Sequence, residues 1–201
     1  MIAALADQAR TRPWLLTALV LALGGTATIL GALFFEHVVG LPPCPLCLEQ
    51  RRPYYAAIPV ALLAAWLAGY GGRVARIGLV VLAGLFLYNA GLGAYHAGAE
   101  WGFWQGPADC AGGGALPGPG QMGNFMQTLQ ATRVISCTEP AIRILGLSLA
   151  GWNVLISLAL AAFAMIAALQ QRYRAAGYGI GHRVALMLEN RPDHFVHFWA
   201  L

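Results

Sequence analysis

Lysine is absent from this chain of 201 residues, and the eight acidic residues are outnumbered by twelve arginines. Charge of either sign is scarce: 10% of residues carry one, against 59% that are hydrophobic. What charge exists falls in clusters, and four long runs have none: Trp14 to Phe35, Pro53 to Tyr70, Ile77 to His96 and Ile144 to Leu169. Each approaches the ~20 residues that cross a ~30 Å hydrocarbon core. The alternation of a barrel strand is missing from all four, which leaves helices as the way to satisfy the backbone in lipid. The expected fold is therefore all α. It is an integral membrane four-helix bundle over residues 1–176, with two loops, about 36–52 and 97–143, on one membrane face and an atypical tail over 177–201.

A cleavage site is also missing. Arg10 and Arg12 precede the first run like the basic region of a signal peptide, but the run is too long and ends in Leu33-Phe34-Phe35-Glu36, without small residues. An uncleaved first helix is expected. Without lysine, orientation rests on arginine alone. Arg10 and Arg12, Arg73 and Arg76, and Arg172 and Arg174 share one side of a four-span bundle, and the positive-inside rule makes that side cytoplasmic. The opposite side carries Arg51, Arg52, Arg133 and Arg143, and it carries all four cysteines. Disulfides persist outside the cytosol and rarely within it. A net charge of +4 placed at helix ends is a topology signal, so no nucleic acid is expected as a partner.

Within the helices the cues concern packing. Gly24, Ala27, Thr28 and Gly31 make a small-residue stripe, and Gly84 with Gly91 repeats seven apart, as close contacts between helices in lipid require. Asn89 and Asn153 should turn toward neighbouring helices as hydrogen bonders. Pro53 suits a first helical position, and Pro59 should kink the second helix.

The chemistry lies in the cysteines. Cys44-Pro45-Leu46-Cys47 sits between two apolar segments, and Cys110 and Cys137 share the later loop. Thiolates are the reactive form, and their pKa falls at helix N-termini, beside cations and in Cys-x-x-Cys motifs. Cys47 is expected to have all three, with Arg51 one helical turn on. Pro42, Pro43 and Pro45 stop the first helix from continuing. The loop contains the Gly- and Pro-rich run 111–120 and should be mobile. Phe125, Met126, Leu129 and Gln130 have the spacing of a short surface helix. A mobile pair could carry a disulfide between a soluble partner and Cys44 and Cys47, or it could merely staple the loop.

Cys44-Pro45-Leu46-Cys47-Leu48-Glu49-Gln50-Arg51, Ala94-Tyr95-His96, two loop cysteines, and Leu145-Gly146-Leu147-Ser148-Leu149-Ala150-Gly151-Trp152 together resemble the DsbB family over about residues 10–175. The resemblance implies an inner-membrane protein-disulfide:quinone oxidoreductase with cysteines facing the periplasm and both termini in the cytoplasm. Cys110 and Cys137 would then form the disulfide that oxidises a periplasmic thioredoxin-like protein of the DsbA type, joined through Cys110. Cys44 and Cys47 would reoxidise that pair and pass electrons to a membrane quinone, ubiquinone or menaquinone, beside Cys47 and Arg51. His96 matches the family's histidine near that site, although its flank is Tyr-His where some members have Tyr-Glu-His. Trp152 matches an aromatic at the same mouth and equally suits an interfacial belt.

Energetics agree with a strong acceptor. DsbA lies at about −120 mV and quiet structural disulfides below about −300 mV, a gap of ~8 kcal/mol for two electrons. No ordinary disulfide closes that gap unaided. The Gly-rich run lacks the strand and helix context of a flavin or nicotinamide fingerprint. One Cys-x-x-Cys with two cysteines 27 apart lacks the second paired spacing of a zinc site, so no metal is expected. Vitamin K epoxide reductases share the helical core, but there the loop pair precedes the Cys-x-x-Cys, the reverse of the order here. The remaining alternative is a four-span scaffold or assembly protein with structural disulfides. Residues 177–201 resemble an early segment of adenylate-forming acyl-CoA ligases, Gly179 through Arg183-Val184-Ala185-Leu186 to Asn190-Arg191-Pro192, without nucleotide-binding motifs. The expectation is a fusion or gene-boundary remnant without ligase activity.

Overall fold

The computed structural model describes residues 13–67, 72–107, 136–179 and 192–200. Its helices are α1 (Pro13–His37), α2 (Pro45–Leu67), α3 (Gly72–Glu100), α4 (Leu149–Ala175) and α5 (Pro192–Ala200), with one two-stranded hairpin, β1 (Arg143–Ile144) and β2 (Leu147–Ser148), ahead of α4. The protein is thus mainly helical, with a small β element that the sequence expectation omitted. Among the described residues three helices, α1, α3 and α4, are long and apolar enough to cross a membrane. In α2 the first turns hold Glu49, Arg51 and Arg52, and the described residues after them, 53–67, are uncharged.

Local chemistry sets the helix ends. α1 stops where Gly40 takes a positive φ of 79°, and the Leu41 N–H turns back to the Phe35 carbonyl at 2.9 Å. Pro42 and Pro43 then keep the chain extended. α2 starts at Pro45 and not at Pro53. Pro45 has the fixed φ of a first helical position, and Cys44 caps it: the Cys44 carbonyl accepts from Leu48 N–H at 3.1 Å and its sulfur accepts from Cys47 N–H at 3.1 Å. Pro53 and Pro59 therefore lie inside the helix. α4 likewise starts later than residue 144. Leu145 (φ 52°) and Gly146 (φ 84°) form the two-residue turn of the hairpin, as twisted strand pairs prefer, and the Ser148 hydroxyl accepts from Gly151 N–H at 3.2 Å to cap the helix. α3 exceeds the expected 77–96 at both ends.

Apolar packing occupies the middle of the bundle. Leu21, Leu79, Leu82 and Phe86 are fully buried against Ala57, Ala61, Ala161 and Ala164. Small residues on α2 and α4 admit the bulkier side chains of α1 and α3. Gly78 and Gly93 mark close approaches: an added Cβ would meet Ala64 Cβ at 2.8 Å and Val154 Cγ2 at 2.9 Å. Gly84 and Gly91 have nothing within 4 Å of that position, so the seven-residue repeat is not the contact expected of it. On α1, Gly24 does pack closely, against Leu160, but Ala27, Thr28 and Gly31 line a cavity. Their small size leaves room there.

The tail ends in α5, which packs on α4: Gln170 Nε2 donates to the Trp199 carbonyl at 3.3 Å, and Tyr173 Oη hydrogen bonds His197 Nδ1.

Candidate functional site

The end of α1, the starts of α2 and α4, and the end of α3 meet at one end of the bundle, shown by the Glu36–Arg51, Gln50–His96 and Gln50–Asn153 contacts. Cys44 and Cys47 form a disulfide on the first turn of α2. Sequence reasoning gave the helix N-terminus to Cys47. The structure gives the capping position to Cys44, whose sulfur is buried and 3.6 Å from His96 Nε2. Cys47 lies one turn in and is the more exposed of the pair.

Cys137 is fully buried and disulfide-bonded. Its sulfur, the Cys44 sulfur and a His96 ring nitrogen all lie within 4.8 Å of one another. The backbone thus brings a loop cysteine to the Cys-x-x-Cys motif across more than ninety residues of sequence. Cys110 lies outside the described residues, as do the Gly-rich run and the Phe125 to Gln130 segment.

Arg51 lines the same cavity as Cys47, but its guanidinium has a partner the sequence did not suggest: Nη1 donates to Glu36 Oε2 at 2.5 Å. Both side chains are largely buried. Arg52 points away and pairs with Glu49 at 3.0 Å on the surface.

Behind the sulfurs runs a chain of buried polar groups. Gln50 Nε2 lies 2.7 Å from His96 Nδ1, and Gln50 Oε1 accepts from Asn153 Nδ2 at 2.6 Å. Asn153 Oδ1 accepts from Tyr54 Oη at 2.8 Å and from Asn89 Nδ2 at 3.2 Å, and Asn89 also donates to Ser157 Oγ at 3.0 Å. Asn89 and Asn153 are the interhelical hydrogen bonders expected of them. Gln50, Glu36, Tyr54 and Glu100 were missed. The signal for Gln50 was available: Leu46, Gln50, Tyr54 and Ala57 follow helical spacing, which puts an amide on the buried face. Glu100 is near His96, with Oε1 3.7 Å from Nε2.

A cavity of about 690 Å³ opens beside the disulfide. Its walls are mostly apolar, from Ile29, Phe35, Leu149 and Ile156 among others, with Cys44, Cys47, Arg51 and His96 at the polar end. An apolar volume of this size with a few convergent polar groups suits a small organic ligand. Trp152 lines it too, its indole held by the Ile144 carbonyl at 2.9 Å.

Comparison with known proteins places the chain in a family. Residues 13–167 match the family model described as Disulfide bond formation protein DsbB. A disulfide bond formation protein B of Marinobacter nauticus is 34% identical over 154 residues, covering 71% of this chain and 83% of the relative. An uncharacterized Rickettsia prowazekii protein is 30% identical over 128 residues, covering 64% of this chain and 72% of its own length. Another disulfide bond formation protein B, from Verminephrobacter eiseniae, is 30% identical over 166 residues, or 78% of this chain and 86% of that one. No solved structure matches. The tail beyond residue 176 lies outside the family match. With paired sulfurs at the mouth of an apolar cavity in a membrane-type bundle, and a family match over most of its length, this chain belongs to the DsbB family of disulfide-forming membrane oxidoreductases.

Proposed function

We propose that this protein reoxidises a periplasmic DsbA-type thiol oxidase and passes the electrons through two cysteine pairs to a membrane quinone. The domain that does so is residues 1–176, with α2 as a fourth span, both termini cytoplasmic and the cysteines periplasmic. The observation that carries the reading is the meeting of Cys137 with the Cys44–Cys47 disulfide beside an apolar cavity. Sulfurs this close exchange by thiolate attack through a mixed disulfide.

The partner dithiol reduces the Cys110–Cys137 disulfide and is itself oxidised. The reduced loop pair then attacks Cys44–Cys47, regaining its disulfide and leaving two electrons on the Cys-x-x-Cys sulfurs. Arg51 and the start of α2 favour the anionic forms there. The cavity fits a quinone head: apolar walls for the ring, and Arg51 and His96 as the donors that would hold its oxygens. A bound quinone supplies a two-electron, two-proton acceptor. Glu36 holds the Arg51 guanidinium at the cavity wall.

The test is to mix purified protein with ubiquinone or menaquinone and a reduced DsbA-type protein, following quinone absorbance and free thiols together. Stoichiometric loss of both is expected. Thiol loss without quinone reduction, or neither, defeats the reading.

A further inference from the structure

At the far end of the bundle from the sulfurs, α4 closes with a left-handed turn. Gly177 takes φ 89°, its N–H bonds the Arg174 carbonyl at 3.0 Å, and Tyr178 N–H bonds the Tyr173 carbonyl at 3.1 Å, the paired bonds of a glycine-ended helix. Beyond that turn α5 lies on α4 in the opposite direction. Its Trp199 carbonyl sits at Gln170 and its His197 at Tyr173, later residues of one helix against earlier residues of the other. α5 is outside residues 13–167 that match the family.

The flank of α4 that α5 occupies faces away from the bundle. Ala164, Ala167, Ala168 and Gln171 make part of the buried stripe of α4. Gln170 and Tyr173 fall on the opposite side at 100° per residue, in line with the exposed Phe163 and Leu155. In a membrane protein that flank meets lipid. Within α5 the bulky apolar side chains turn away from α4: Phe195, Phe198 and Trp199, spaced i, i+3 and i+4, are 65%, 60% and 66% exposed, while Ala200 is buried and His197 holds Tyr173. Three aromatics on one face of a nine-residue helix are more than scattered surface apolars.

Depth follows from the same contacts. The uncharged run of α4 ends at Leu169, and Gln170 to Tyr173 lie about 1.5 to 6 Å beyond it. That is the headgroup layer, roughly 5–8 Å on each side of the hydrocarbon. Because α5 runs back toward the hydrocarbon, Trp199 is at its deep end and Asp193, the acid of its first turn, at its shallow end. The exposed Arg172 and Arg174 stand at the same level as the aromatics, as cations do at a membrane surface.

We propose that α5 is an interfacial anchor, with its Phe195, Phe198 and Trp199 face seated in lipid at the boundary of headgroups and acyl chains beside the end of α4. Short amphipathic helices with aromatics on the apolar face bind there by burying that face. The functional reading enters only in naming the leaflet, which is then the cytoplasmic one. The anchor holds the tail to the membrane and takes no part in electron transfer.

The test uses full-length protein carrying 5-fluorotryptophan in nanodiscs of phosphatidylcholine and phosphatidylglycerol, where the ¹⁹F resonance missing from Trp199→Phe is that of Trp199. A nitroxide high on the lipid acyl chain should broaden it strongly and a soluble gadolinium chelate weakly. Phe195→Ser combined with Phe198→Ser should lower the ratio of the two effects about tenfold or more. Tenfold is about 1.4 kcal/mol, within what burying one such ring contributes. Broadening by the chelate at least as strong as by the lipid nitroxide in the unaltered protein puts the face in water and overturns the proposal. Protection from both overturns it in favour of a protein neighbour, a second copy included. An unchanged ratio in the double variant overturns the role of the aromatic face. No readout here involves electrons, so protein that meets lipid at Trp199 yet reduces no quinone loses the functional reading and keeps the anchor.

Discussion

Two buried regions of the bundle are built on opposite plans. In the middle, where the four long helices meet, Leu21, Leu82, Phe86 and a bed of alanines pack without a polar atom among their side chains. One or two turns nearer the cysteines, Tyr54, Asn89, Asn153, Ser157, Gln50 and His96 are held as one hydrogen-bonded chain. Both are buried; only the second has direction. An apolar contact is satisfied by any neighbour of the right shape, whereas a chain of donors and acceptors fixes which atom faces which, and ends here on a sulfur. The middle region therefore sets how firmly the helices associate, and the polar region sets what the disulfide experiences.

The sharpest test of that division is at the sulfurs themselves. Cys44→Ser or Cys47→Ser should reduce quinone-coupled turnover to background while the helical content and detergent stability of the bundle barely change. For the loop pair, Cys137→Ser should let Cys110 be captured in a lasting adduct with a DsbA-type protein, because the resolving thiol is gone, and Cys110→Ser should give none. Non-reducing gels distinguish the two, and an adduct only in Cys110→Ser reverses the roles.

Next in size is the contrast between the regions. Phe86→Ala should cost about 3–5 kcal/mol of stability and leave turnover per folded molecule unchanged. Asn153→Leu strands the acceptor of Gln50 and removes an acceptor of Tyr54. It should cost less, about 1–3 kcal/mol, yet slow turnover per folded molecule about tenfold. Thermal unfolding and steady-state rates on the same samples check both. Equal losses of activity per folded molecule would erase the distinction.

Arg51→Ala should weaken apparent quinone affinity and turnover, with Arg51→Lys a partial rescue, because a point charge does not reproduce the planar fork. Glu36→Gln should act in the same direction but more weakly, since it frees the guanidinium without removing it. A quinone titration of the three variants orders them. Smallest is the tail: deletion of 192–201 should leave oxidase activity intact and lower stability by about 1 kcal/mol or less, the scale of the few exposed contacts between α5 and α4. A large loss of activity would make α5 part of the working bundle.

Much of this was legible in the chain. Scarce, clustered charge gave the apolar helices, and the Cys-Pro-Leu-Cys motif with Arg51, His96 and two loop cysteines gave the family. The ends of elements were less so. Charged residues 49, 51 and 52 hid the first turns of α2, because an uncharged-run criterion cannot see a proline at the first helical position behind a sulfur cap. Ile144 to Ser148 were apolar enough to be counted with α4, although Leu145-Gly146 makes a turn that hydropathy does not register.

The sequence by itself determined that the chain is a helical membrane protein of the disulfide-forming kind, because hydropathy and motif spacing are properties of neighbours along the chain. Tertiary structure alone decided that Cys44 lies beside His96, that Arg51 is tied to Glu36, and that Gln50 links His96 to Asn153. Those pairings join residues 15 to 103 positions apart, and a donor finds its acceptor only once the helices are packed.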